Sequence, residues 1–152
     1  MATQPLVIEG RASVAAPPQH VFEALADPAT WFIIDRTLVD VSPRERLALG
    51  TTGTMRNRRG GLTATVTWTT TELVPGARLV QHTKGFGYEL TESVTLAEDP
   101  LGTQVTVVDS VIATSFAGRL MVAMSRGIME RDLQARFARL KALVETSVVA
   151  EG

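Results

Sequence analysis

A chain of 152 residues, 45% apolar and 20% charged, is long enough to bury its own core and too apolar to stay disordered. A net charge of −1 excludes a global field for nucleic acid, and the absence of cysteine excludes disulfides, thiolate nucleophiles and cysteine-bound metals. No apolar run approaches the ~18 residues that cross a bilayer, and MATQPLVIEG lacks the regions of a signal peptide. A soluble, cytoplasmic single domain spanning residues 1–152 is expected, with no stable membrane insertion.

Residues 6–15, LVIEGRASVA, set Ile8, Gly10, Ala12 and Val14 against Val7, Glu9, Arg11 and Ser13, the alternation of a half-buried strand. Pro17 and Pro18 forbid its continuation, and Pro18 suits the first turn of a helix carrying Val21, Phe22 and Leu25. Asp27-Pro28 closes that helix and opens a second, with Asp27 as N-cap and Trp31, Phe32 and Ile34 as its apolar surface.

After DRTLVDV, two alternating runs are joined by Gly60-Gly61, a favoured two-residue hairpin turn. That turn sets Arg59 opposite Leu62, Asn57 opposite Ala64, Met55 opposite Val66 and Gly53 opposite Trp68, a mostly apolar face. The other face carries Arg58/Thr63, Arg56/Thr65, Thr54/Thr67 and Thr52/Thr69, a polar ladder suited to solvent. Near the hairpin tip, Asn57 alone is expected to point a polar side chain inward. VPGA (74–77) turns the chain into a strand around RLVQHT.

YELTESVTL (88–96) and TQVTVVDSVIAT (103–114) read as two more strands, separated by the turn-rich AEDPLG. From Ser115 almost to the C-terminus the pattern predicts one helix of ~30 residues, ~45 Å long. Its inner stripe is Leu133, Phe137, Leu140 and Val144. The order predicts an α+β domain: a curved antiparallel sheet of about seven strands wrapped around a long C-terminal helix, with two short helices after the first strand. A helix lying across such a sheet closes a groove into a pocket.

Several side chains bear on function. His20 stands beside Glu23 at the spacing of a surface pair. The direction of His82 depends on the VPGA loop; Leu79 and Gln81 alternate better as the inner set, which sends His82 outward. Two histidines and no cysteine make a metal site improbable, and no cofactor is expected. The run MRNRRGG puts its glycines in a hairpin turn, not a strand-to-helix cradle, so phosphate or nucleic-acid binding has no support. Without a G-x-S-x-G elbow, Ser-His-Asp catalysis is discarded.

The lining of an internal pocket is expected to come from both layers. The sheet and second helix supply Trp31, Met55, Asn57, Val66, Trp68 and Gln81, followed by Tyr88 and Leu90. The first half of the long helix supplies Phe116, Leu120 and Met124. Met121 and Met129 cluster there too, with Gly118 and Gly127 permitting a bend or leaving space beneath.

Two acids stand out. Glu92 shares the parity of Tyr88, Leu90, Val94 and Leu96, and Asp109 that of Val105, Val107, Val111 and Ala113. Both should point inward. If Val94 lies opposite Val107, then Glu92 lies opposite Asp109, and two such carboxyls do not both ionise easily. A proton donor beside a proton acceptor suits enolisation and dehydration, so Glu92 and Asp109 are the candidate catalytic pair.

The stretch SVAAPPQHVFEALADPATW (13–31), the GT at 102–103 and FARLKALVE (137–145) carry a family likeness. The chain resembles the START-like, or birch-pollen-allergen-like, helix-grip superfamily, and within it the bacterial polyketide cyclase/dehydrase branch. It departs from that branch after Trp31, where FIID replaces the usual second tryptophan and proline. The resemblance implies a hollow domain whose short helices form the floor or rim of a pocket for an apolar or aromatic molecule. Some relatives are enzymes and many only bind. Three functions follow as expectations: binding of a small hydrophobic or aromatic molecule, polyketide cyclase or dehydratase chemistry, or lipid delivery and partner binding. A homodimer is compatible with all three.

Overall fold

Alternation along the strands and one helical stripe determine the architecture. The computed structural model describes residues 4–151, with side chains through residue 147. The expectation that no leader precedes the first strand rests partly on residues outside this range. In chain order the elements are β1 (Leu6–Val14), α1 (Pro18–Leu25), α2 (Pro28–Ile34), β2 (Leu38–Ser42), β3 (Thr52–Arg59), β4 (Leu62–Val74), β5 (Arg78–Gly85), β6 (Tyr88–Asp99), β7 (Gly102–Ala113), α3 (Phe116–Met124) and α4 (Arg126–Glu151).

The seven strands form one antiparallel sheet in the order β1-β7-β6-β5-β4-β3-β2. It is a meander from β2 to β7, closed by the return of β1 against β7. Slips in register between Leu38 and Asp40 and between Thr70 and Glu72 curve it. The β3–β4 register is the one that the Gly60-Gly61 turn predicts, with Met55 opposite Val66 and Gly53 opposite Trp68. Both turn glycines have positive φ, which two-residue hairpins of this type need. The strands around AEDPLG run further than the sequence pattern suggests, leaving only Pro100 and Leu101 between β6 and β7.

The core lies between the sheet and α4. Leu133, Phe137, Leu140 and Val144 are all buried, each contributing on the order of 2 kcal/mol by removal from water. They sit against β1, where Gly10 makes the approach possible: a Cβ there would lie 2.7 Å from Leu133 Cδ2 and 2.9 Å from Phe137 Cε2. Helix α1 buries Val21 and Phe22, and Asp27 caps α2 by accepting from the Ala29 N–H at 3.0 Å.

The single long helix expected from Ser115 onward is two helices. The chain breaks at Ser125, whose N–H and hydroxyl both donate to the Val122 carbonyl, at 3.2 and 2.9 Å. That serine ends α3 by satisfying a carbonyl that helix continuation would have used. Gly127, two residues on, lowers the cost of the break. The two helices also answer to different anchors: α4 to its apolar stripe, α3 to the close approach of Gly118 to the Gly87 backbone.

Candidate functional site

Helix α4 packs on β1, α1 and α2 and stands off strands β3–β6. The inner face of those strands is buried at Trp68, Leu79 and Val94 and only partly covered toward the β3–β4 and β5–β6 turns, which leaves a groove-like strip beside α4. Met55, Asn57, Gln81, Tyr88 and Leu90 are partly exposed along it, whereas Val66 and Trp68 are core. Trp31 meets Trp68 edge to face, with ring centroids 5.2 Å apart, and donates its own Nε1–H to the Leu25 carbonyl at 3.0 Å. Trp68 Nε1 is buried with no hydrogen-bond partner.

The closed cavity expected beneath residues 116–129 is not enclosed here. Phe116, Leu120 and Met124 are largely exposed on α3 and do not roof the groove. A recess of about 320 Å³ lies at the start of α3, lined by Ala113 to Phe116 and Arg119. Another of about 410 Å³ lies at the far end of the sheet, between Ala15–Pro18 and Glu98–Gly102. Neither reaches the acidic pair.

That pair forms as the alternation predicts. Glu92 lies directly opposite Asp109, between Leu90 opposite Val111 and Val94 opposite Val107. Gln81 is the neighbour of Glu92 on the other side. Asp109 is 5% exposed, and its Oδ1 has no hydrogen-bond partner.

The third member came from α4. Arg136 donates from Nη2 to Glu92 Oε2 at 2.9 Å and lies 3.7 Å from Asp109 Oδ2. Sequence reading missed it, although it flanks the buried stripe one residue before Phe137. A charged residue at that helical position faces the sheet, and this was the available signal.

The three groups polarise one another. Burial, then the negative charge and hydrogen bond of Glu92, push Asp109 up to about 9, against the pull of Arg136. Burial pushes Glu92 upward, but the Arg136 charge and the hydrogen bonds from Asp109 and Arg136 outweigh it, so its net direction is down. The Glu92 charge holds Arg136 well above its usual value despite burial. The arrangement favours the proton on Asp109 and the negative charge on Glu92, which faces Arg136.

A second ion pair crosses the groove one helical turn away, where Arg59 at the hairpin tip meets Asp132 on α4. Asn57 is therefore not the only polar side chain turned inward at the tip; Arg59 shares its parity and reaches across. Asn57 itself donates to Thr37 Oγ1 at 3.0 Å. Tyr88 lies over Gly85, where a Cβ would strike its ring, and burial raises its phenol while the Arg59 charge opposes the rise. His82 lies on the outer face, opposite Thr69, with Nδ1 3.2 Å from Thr91 Oγ1 and Nε2 3.7 Å from Glu89. Among the described residues, no group of three or more His, Asp or Glu is placed to hold a metal ion.

A curved antiparallel sheet gripping a C-terminal helix defines a helix-grip fold. Residues 5–145 match the family described as "Polyketide cyclase / dehydrase and lipid transport", and the chain belongs to it. No curated protein matches the chain. The ZhuI aromatase/cyclase of a Streptomyces species superposes with a TM-score of 0.82 at 17% identity, over 97% of this chain and 98% of that one. The two-domain aromatase/cyclase StfQ of the steffimycin pathway gives 0.81 at 13% identity, over 95% of this chain and 52% of that one. A Chromobacterium violaceum protein gives 0.76 at 22% identity, over 91% of this chain and 96% of that one. At these identities the likeness shows the fold.

Proposed function

We propose that the groove binds a small apolar or aromatic molecule, with its polar end at Glu92, Asp109 and Arg136. The observation that carries this reading is the buried, unpartnered Oδ1 of Asp109 beside an ion pair, with Leu90, Val94, Val107 and Val111 flanking it on the sheet. Such an atom costs stability unless something satisfies it. With the Asp109 proton turned toward Glu92, the free Oδ1 accepts a hydrogen bond from a hydroxyl of the bound molecule. The surrounding Met55, Tyr88 and Leu90 offer apolar contact to the rest of the molecule.

The split between the two carboxyls supports a second reading, acid–base catalysis of the cyclase or dehydratase kind. Glu92 would take a proton from carbon next to a carbonyl, giving an enolate. Asp109 would deliver its proton to a departing hydroxyl, which leaves as water. Arg136 keeps Glu92 ionised between events. We place the protein in the cytoplasm on its cysteine-free composition, with the whole chain acting as one domain.

Native mass spectrometry of freshly purified protein, together with tryptophan-fluorescence titration with flat aromatic probes, tests the binding reading. Micromolar affinity, roughly −8 kcal/mol, is expected. The absence of both a co-purified molecule and saturable binding would refute it. With a confirmed substrate in hand, unchanged turnover by Glu92→Gln and Asp109→Asn would reduce the pair to binding groups.

A further inference from the structure

Helix α3 has the composition of a buried helix and the exposure of a surface one. Its sequence FAGRLMVAM contains one charged residue, and Gly118 is its only buried position. Gly118 sits against the backbone of Gly87, where a Cβ would collide with the Gly87 carbonyl oxygen. The face turned away from that contact carries Phe116, Leu120 and Met124 at i, i+4 and i+8, exposed by 77%, 57% and 80%. An apolar stripe of this kind in water needs a cover.

Neighbouring tips extend the stripe. The β3–β4 turn, the β5–β6 turn and the end of β7 all lie at one end of the sheet, because the strands are antiparallel and Tyr88 pairs with Ala113. Leu62 at the first turn is 79% exposed and Phe86 at the second is 94% exposed. Cations outnumber acids at this end. Arg58 and Arg119 are exposed and have no carboxylate within ion-pair distance among the described residues, and Lys84 is exposed opposite Glu89. By contrast Asp132 is held by Arg59, Glu130 by Arg126, and Glu89 lies by His82. The chain as a whole carries −1, so the positive character belongs to this end.

We propose that this end docks on an anionic lipid bilayer surface, with Phe86, Leu62 and the Phe116–Leu120–Met124 stripe entering the headgroup layer. Arg58, Lys84 and Arg119 meet the lipid phosphates. Apolar tips among exposed cations match an interface with a negative surface and an apolar interior, whereas a second copy would bring the same cations against themselves. The inference does not depend on what the groove binds.

Vesicle flotation tests it, using phosphatidylcholine alone and phosphatidylcholine with about 30 mol% phosphatidylglycerol at roughly 0.1 M salt. The protein is expected to bind the anionic vesicles at least about tenfold more tightly, and to be released as salt is raised toward about 1 M. Leu120→Glu with Met124→Glu, both at exposed positions, should abolish the binding while leaving the circular dichroism and melting temperature unchanged. Lys84→Gln with Arg119→Gln should weaken it and flatten its salt dependence. Equal binding to both vesicles, or binding to neither, would overturn the proposal, as would retention by the glutamate variant. A dimer in vesicle-free sedimentation that the glutamate variant dissociates would assign the patch to a second copy. Loss of aromatic-probe uptake without loss of vesicle binding in that variant would assign the stripe to the groove.

Discussion

Replacing Asp109 with asparagine should stabilise this protein at neutral pH, against the usual cost of altering a buried side chain. In the unfolded chain Asp109 titrates near 3.8, and in the folded chain burial and Glu92 hold it at about 9. A carboxyl raised in this way contributes stability that is complete below 3.8 and is lost progressively as pH rises toward 9. At pH 7, folding must take up a proton across about 3.2 pH units at 1.36 kcal/mol each, a cost of about 4 kcal/mol. Sharing of that proton with Glu92 lowers the cost. Asparagine keeps the shape of the protonated acid and needs no proton. Urea denaturation followed by tryptophan fluorescence, from about pH 5 to pH 8.5, should show Asp109→Asn more stable at pH 7 by about 2 kcal/mol. The gap should widen with pH, by up to about 1.4 kcal/mol per pH unit. A gap that stays flat across this range would show that folded Asp109 carries no proton, and the reasoning would fail.

Arg136→Gln leaves ionised Glu92 without its cation and should cost about 3 kcal/mol at pH 7. Because Glu92 is held low by that partner, the penalty should shrink as pH falls below about 5, which the same denaturation series measures. Gly118→Ala drives a methyl into the Gly87 carbonyl, a backbone atom that does not yield. It should cost about 2 kcal/mol and expose the Thr114 amide, now bonded to the Gly87 carbonyl, to hydrogen exchange. Arg56→Gln with Arg58→Gln should leave aromatic-probe affinity within about threefold, under ~0.7 kcal/mol. Asn57→Leu should weaken it more, since it breaks the bond to Thr37 on the groove wall; the reverse order would sink the assignment of that wall to the ligand.

The acid pair was legible before any fold, because side-chain period along a strand is local and has a value of two. Once Glu92 and Asp109 share parity with Leu90, Val94, Val107 and Val111, a single register decides whether they meet. The Gly60-Gly61 turn determined the β3–β4 register by the same economy, and Asp27-Pro28 placed the boundary of α2. What the chain alone left open is how far a helix rotates and lifts above the sheet. Arg136 joins the acids because the stripe of α4 docks on β1 beside Gly10, which turns its flank toward β6 and β7. The crossing of Arg59 to Asp132 depends on the same rotation. Whether Trp68 fills core or lines a pocket depends on where Trp31 packs, which no spacing within β4 encodes. The break at Ser125 is the subtlest case: residues 116–129 satisfy a helical period throughout. It takes the tertiary seat of Gly118 on Gly87 to hold α3 by its glycine face and leave its apolar face in solvent. Local periodicity selects which side chains can meet; rigid-body placement of the helices, set by contacts far apart in sequence, selects which of them do.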